Sequence, residues 1–218
     1  MMKPLPDPDR LYEAAARELA ADARRVLDFG AGRGLHGIDL RTAHNTVIGC
    51  DVDSAVLANP LLHRAEVVAL GEPLPYEDGS FDLIVCRYVL EHVDCPSTVS
   101  SELRRVLAPG GTILAITPNK YGYVAVAASI VPNPLHVAVL KLVQPGKLPE
   151  DTFPTRYRMN SRRDLERAFG NLSYFLRASG PSAYHFGIDA VAKAFNLLHR
   201  VLPEALHTQI VFRYTRPA

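Results

Sequence analysis

The nine residues Val26-Leu27-Asp28-Phe29-Gly30-Ala31-Gly32-Arg33-Gly34 constrain this chain more than any other stretch. A short apolar run ends in a carboxylate and meets three glycines at alternate positions, the pattern of a strand running into a nucleotide-binding turn. Glycine accepts positive φ and lets a ligand lie on bare backbone. The turn is expected to open a helix over residues 35 to 45 whose first N–H groups face that ligand.

Strands and helices alternate around the turn. Leu11 to Arg25 is alanine-rich with charges at helical intervals, and Val26 to Phe29 is a buried strand of the parallel-sheet kind. Thr46 to Asp51 reads as a second strand ending in an acid, and Ser54 to Asn59 as a short helix stopped before Pro60. Glu66 to Leu70 and Phe81 to Cys86 read as strands three and four. A helix over 97 to 107, a Pro109-Gly110-Gly111 turn and a fifth strand, Thr112 to Ile116, follow. Ser161 caps a helix reaching Phe169, Leu172 to Leu176 reads as a strand, Ile188 to Leu202 as an amphipathic helix, and Gln209 to Tyr214 as a closing strand. The alternation predicts an α/β, doubly wound, mostly parallel sheet with helices on both faces.

At 218 residues and 48% hydrophobic, the chain suits one domain with an insertion: a core of about 11–119 and 160–218, and an apolar insertion of about 120–159. The balance of 24 Lys+Arg against 23 Asp+Glu leaves no field that favours nucleic acid. Cys50, Cys86 and Cys95 make an odd count, and two lie in apolar strand-like runs. Buried reduced thiols and a cytoplasmic location are expected. Prolines and charges fill the first ten residues where a signal peptide needs an apolar run, so no secretion signal is expected. From Tyr121 through Leu140 there is no Asp, Glu, Lys or Arg, but Pro132-Asn133-Pro134 interrupts the stretch. Two short apolar helices capping a site are expected rather than a spanning helix, with peripheral membrane contact as the alternative.

Read from Gly32, the residues Gly32 to Gly37 satisfy G-x-G-x-x-G with Asp51 near the usual acidic position, which would make the chain an NAD(P)-dependent oxidoreductase. That pattern begins two residues late, however, and Asp28 at the strand end would crowd a pyrophosphate while welcoming a cationic ligand. His92 and Cys95 lie three apart without a second ligand pair, so no metal is expected.

Counted from Asp28, the chain resembles the class I S-adenosylmethionine-dependent methyltransferases, in particular their type 11 small-molecule branch. Asp28, Gly30, Gly32 and Gly34 match the first motif. Val47 to Asp53 looks like the second-strand motif, Leu74 to Asp82 like the "LPF-x-DGSFD" segment, Leu90-Glu91-His92-Val93 like the following helix start, and Leu103 to Gly111 like the approach to strand five. The resemblance covers residues 26 to 119, a little under half of the chain, and implies a Rossmann-like, seven-stranded sheet whose last strand is antiparallel.

It also implies S-adenosyl-L-methionine as cofactor, with S-adenosyl-L-homocysteine as product. Asp51 would accept both ribose hydroxyls, or simply cap the helix after its strand. Gly30, Ala31, Gly32 and Gly34 would lie under the methionine part and ribose. Asp28 would brace the loop or reach the ammonium group. Val52, Gly71 and Glu72 would border the adenine, with Leu70 at the family's acidic adenine position, and Arg87 would close over the cofactor with Tyr88. The candidate bases Tyr88, His92, Tyr121 and His136 carry no spacing signature, and methyl transfer needs alignment more than a strong base. A cofactor-binding protein without activity is the remaining alternative.

The acceptor is expected to be a small molecule, hydrophobic or lipid-like, near the Thr117-Pro118-Asn119 turn and the stretch that follows. Arg156, Arg158, Arg162 and Arg163 read either as a solvated helix start or as recognition of an anionic acceptor. Monomer and homodimer are both open.

Overall fold

The computed structural model describes residues 7–35, 37–69, 71–123, 125–126, 154–180 and 189–218. Its strands are β1 (Arg25–Phe29), β2 (Thr46–Asp51), β3 (Arg64–Val67), β4 (Phe81–Arg87), β5 (Leu107–Pro118), β6 (Tyr174–Ala178) and β7 (Gln209–Thr215). They form one sheet in the order β3-β2-β1-β4-β5-β7-β6, parallel except for β7, which runs antiparallel to both β5 and β6. The helices are α1 (Pro8–Asp22), α2 (Pro96–Val106), α3 (Arg162–Phe169) and α4 (Asp189–Val201). Single 3₁₀ turns occupy Ser54–Ala58, Leu90–His92 and Glu204–Leu206.

Strand periodicity explains why both faces are covered. In β1 and β4, Val26, Leu83 and Val85 point to one side, where α1 lays Tyr12, Ala16 and Ala20, spaced four apart on one helical stripe. Leu27 and Ile84 point to the other, where α2 and α3 bring Leu103, Val106, Leu165 and Phe169. Strands buried on both faces need continuous apolar runs, which is what these have. The doubly wound reading and the antiparallel last strand are borne out.

Residues 35 and 37–45 form turns and extended chain, not the expected helix. Ile38 and Leu40 are buried while Asp39 between them is exposed, a period of two. Asp39 accepts from both the backbone and the guanidinium of Arg41 at 2.7–3.1 Å, and Asn45 Oδ1 accepts from the Thr42 amide at 2.9 Å. These local side-chain bonds take the place of helical ones. β3 begins at Arg64, two residues earlier than expected, pairing Arg64 with Ile48. Pro109 to Gly111, expected as a turn before strand five, lies inside β5, where the register against β4 shifts between Phe81 and Leu83. The stretch 121–140 lies largely outside the described residues, and no helix of the described residues is long and apolar enough to cross a membrane.

Candidate functional site

The carboxyl ends of β1, β2 and β4 meet at the glycine turn, the edge at which open α/β sheets hold ligands. Gly30, Gly32 and Gly34 all have positive φ, at 75°, 50° and 78°. The Gly30 amide donates to the Cys50 carbonyl at 2.8 Å, tying the turn to β2. A Cβ on Gly30 would stand 2.4 Å from Val89 Cγ2 and one on Gly34 would stand 2.3 Å from Asn59 Oδ1, so neighbouring side chains close on the turn there. Gly32 has nothing within 4 Å of that position and presents open backbone. Asn59 secures the outer wall, its Nδ2 donating to the carbonyls of Ala31 and Gly32 at 3.1 Å each.

Asp51, at the end of β2, is fixed by two backbone donors. The Gly32 amide donates to Oδ2 and the Asp53 amide to Oδ1, each at 2.9 Å. Each carboxylate oxygen retains further lone-pair capacity, so the group is preset to accept two more hydrogen bonds side by side. Capping of the next turn falls instead to Asp53, whose Oδ1 accepts from the Ala55 amide at 2.9 Å. Val52 beside it is 41% exposed, an apolar surface at the rim.

Asp28, half-buried, lies in β1 directly before the turn. Burial first, then the charge of Asp51, pushes its carboxyl up to about 7, while Arg87 opposes the shift. A positively charged ligand beside this carboxyl would add to the opposing pull of Arg87. With no helix among the described residues 35 and 37–45, the dinucleotide reading loses the helix N-terminus that a pyrophosphate uses.

The other expected residues are distributed around this edge. Gly71 has φ 82° and open space at its Cβ position, Glu72 is exposed, and Leu70 is outside the described residues. The Arg87 guanidinium pairs with Asp9 at 3.1 Å and Glu13 at 3.3 Å, so the structure turns it toward α1. Tyr88, with φ 53°, gives its hydroxyl to Asp9 at 3.0 Å and takes the Gln209 amide. His92 Nδ1 meets the Pro154 carbonyl at 3.0 Å, Tyr121 is 54% exposed beside Lys120, and His136 is outside the described residues. Arg156 pairs with Asp94 at 2.9 Å, Arg158 donates to the Asp94 carbonyl at 2.6 Å, and Arg162 pairs with Glu166 at 2.7 Å. Those arginines brace the segment between Pro154 and α3. Among the described residues no group of three or more metal-ligating side chains occurs.

Two features escaped sequence reasoning. Tyr12 on α1 is buried close enough to Asp28 that the carboxylate, after burial, raises its phenol. Glu91, only 4% exposed, accepts the Thr117 hydroxyl at 3.2 Å, and Thr117 in turn accepts from Asn160 Nδ2 at 2.8 Å. Asn160 also donates to the Pro118 carbonyl at 2.8 Å, and its own carbonyl accepts the Lys120 amide at 2.9 Å. The chain thus leaves β5 and returns before α3 at adjacent points. A lone Asn 40 residues downstream carries no motif that would have announced this.

A family profile described as a methyltransferase domain matches residues 27–115. The chain is 32% identical over 111 residues to a demethylmenaquinone methyltransferase of Beutenbergia cavernae, covering 49% of this chain and 46% of that one. It is 30% identical over 145 residues to a ubiquinone biosynthesis O-methyltransferase of Dechloromonas aromatica, covering 59% and 61%. The alignments thus span about half the length of the curated relatives. A solved S-adenosylmethionine-dependent methyltransferase of Methanosarcina mazei has the same fold, with a TM-score of 0.56 at 20% identity over 90% of this chain and 93% of that one. Residues 27–115, with the glycine turn and the strand order around them, are thus similar to a methyltransferase domain, and the sheet has the fold of a solved S-adenosylmethionine-dependent methyltransferase.

Proposed function

We propose that this chain binds S-adenosylmethionine across the carboxyl edge of β1, β2 and β4 and transfers its methyl group to a small-molecule acceptor. The observation that carries the reading is the Asp51 carboxylate, held by two backbone amides with acceptor capacity to spare for the two ribose hydroxyls. Gly30, Ala31, Gly32 and Gly34 hold the amino-acid part, Val52, Gly71 and Glu72 border the adenine, and Asp28 neutralises the ammonium group. The cofactor supplies an electrophilic methyl on sulfonium. The chain's own groups fix its orientation and exclude water, which for a displacement at carbon is most of the catalysis. Tyr88 and His92 are already engaged by Asp9, Gln209 and Pro154, which favours alignment over proton transfer as their contribution.

The acceptor lies over the ends of β4 and β5, beside the Thr117-Pro118-Asn119 segment. The Lys120–Asn160 bond supports treating the insertion of about 120–159 as one excursion from the sheet. Buried Cys50 and Cys86, both without a disulfide, suit a reducing cytoplasm. Thermal melting with added ligand tests the function. S-adenosylhomocysteine raises Tm in proportion to ln(1 + [L]/Kd) and NADH does not; stabilisation by NADH alone would overturn the assignment.

A further inference from the structure

A second polar cavity opens at the outer carboxyl edge of the sheet, away from the glycine turn. It measures about 360 Å³ and is lined by Arg177, Ser179, His199, Arg200 and His207 together with Ala178 and Leu202. That size falls in the range of small-molecule sites. Its polar groups come from three elements: the end of β6, the last turns of α4, and the loop entering β7.

The donors there exceed the acceptors. His199 is 3% exposed, its Nε2 lies 2.8 Å from the Tyr123 hydroxyl, and its Nδ1 has no partner. The phenol is the better donor of that pair, which puts the ring proton on the unpartnered Nδ1. Arg177 Nε is likewise buried and unpartnered. Ser179 Oγ accepts the Thr208 amide at 3.1 Å and its hydroxyl at 3.4 Å, so its single proton goes to His207 Nδ1 at 3.0 Å. His207 Nε2 is thereby a second N–H donor. Burial keeps both imidazoles below the usual histidine range, so each acts as a neutral donor near pH 7. Positive charge is supplied by Arg177 and by Arg200, which has no ion-pair partner among the described residues. Among the described residues the acid paired there is Glu204, which touches Arg177 at 3.6 Å and is largely exposed.

We infer that this cavity binds an anionic group, a phosphate or carboxylate, and that the group belongs to the methyl acceptor. The link to the acceptor rests on the methyltransferase reading. Two strand spacings separate β5 from β6 and three separate β4 from it, which places the anion roughly 10–15 Å from the ends of β4 and β5. Tyr123, a few residues beyond β5, bonds to His199, one of the residues lining the cavity. An elongated acceptor with an anionic end reaches both places at once. Arg156, Arg158 and Arg162, for which the sequence left open either a solvated helix start or this purpose, are paired with Asp94 and Glu166.

The test is a titration of the full chain with inorganic pyrophosphate and, separately, octanoate, at ionic strength held constant with chloride. Binding is followed by NMR of the His199 and His207 rings. Saturable shifts at both rings are expected with at least one anion, and the stronger of the two identifies the headgroup chemistry. Arg200→Gln should weaken that binding at least fivefold, and Glu204→Gln should strengthen it about twofold by freeing Arg177. Affinity for S-adenosylhomocysteine, measured by calorimetry, should be the same in both variants and the parent. Absence of saturable shifts, or unchanged anion affinity in Arg200→Gln, overturns the inference. Failure to bind S-adenosylhomocysteine strikes the function assignment alone, because the anion titration is read without it.

Discussion

Replacing Asp28 by asparagine should stabilise the ligand-free protein while weakening its hold on the cofactor. Burial and Asp51 lift the Asp28 carboxyl from 3.8 to about 7 in the folded chain. A group raised in this way favours the fold fully below its unfolded value, loses that contribution as pH climbs through the interval, and has lost all of it above about 7. The interval is about three units, worth roughly 4 kcal/mol for a sealed site at about 1.4 kcal/mol per unit. Asp28 is half-buried rather than sealed, and solvent screening reduces this to roughly 1–2 kcal/mol. Asparagine is neutral throughout, so the variant's advantage should grow from pH 5 to pH 7 and level off at about 2–8 °C in Tm. Binding runs the other way. Pairing with the ammonium group needs the ionised carboxylate, about a tenth populated at pH 6, so parent affinity for S-adenosylhomocysteine should rise close to tenfold from pH 6 to pH 7.5. Asp28→Asn should bind more weakly at pH 8 and lose that pH dependence. Paired melts and calorimetry across pH 5–8 check both halves. A stability difference flat over that range, or parent binding indifferent to pH, refutes the reasoning.

Asp51→Ala removes the acceptor proposed for both ribose hydroxyls; at roughly 1.5–3 kcal/mol per charge-assisted bond, calorimetry should show affinity for S-adenosylhomocysteine falling by about 10² or more. Gly30→Ala forces a side chain onto a φ of 75° and into Val89, and chemical denaturation should show a loss of roughly 1–3 kcal/mol without a change in m-value. Asn160→Leu leaves the Pro118 carbonyl and Thr117 without their donor, for a loss of about 2 kcal/mol by the same assay. In that variant, amide exchange should also quicken at Lys120, whose amide bonds to the Asn160 carbonyl.

Local chemistry made the central strands legible: Val26 to Phe29, Thr46 to Asp51 and Phe81 to Cys86 announce themselves by apolar runs bounded by acids and glycines. So did the α3 start, where Ser161 accepts from the Asp164 amide as its spacing foretold. The segment after Gly34 was misread because a helical beginning was expected from the motif, whereas Asp39 and Asn45 capture the local backbone donors. Arg87 and Tyr88 lie at the carboxyl end of β4, but their partners on α1 and β7 are up to 200 residues apart in sequence and leave no local trace. The buried set Glu91, Thr117 and Asn160 was invisible for the same reason.

The central claim is that the cofactor's ribose sits on Asp51 at the glycine turn. A crystal structure with S-adenosylhomocysteine bound tests it most directly. The account predicts both ribose hydroxyls within hydrogen-bond distance of the two Asp51 oxygens, with the amino group on the Asp28 side of the turn. A ligand bound elsewhere, or a ribose with no contact to Asp51, would contradict it.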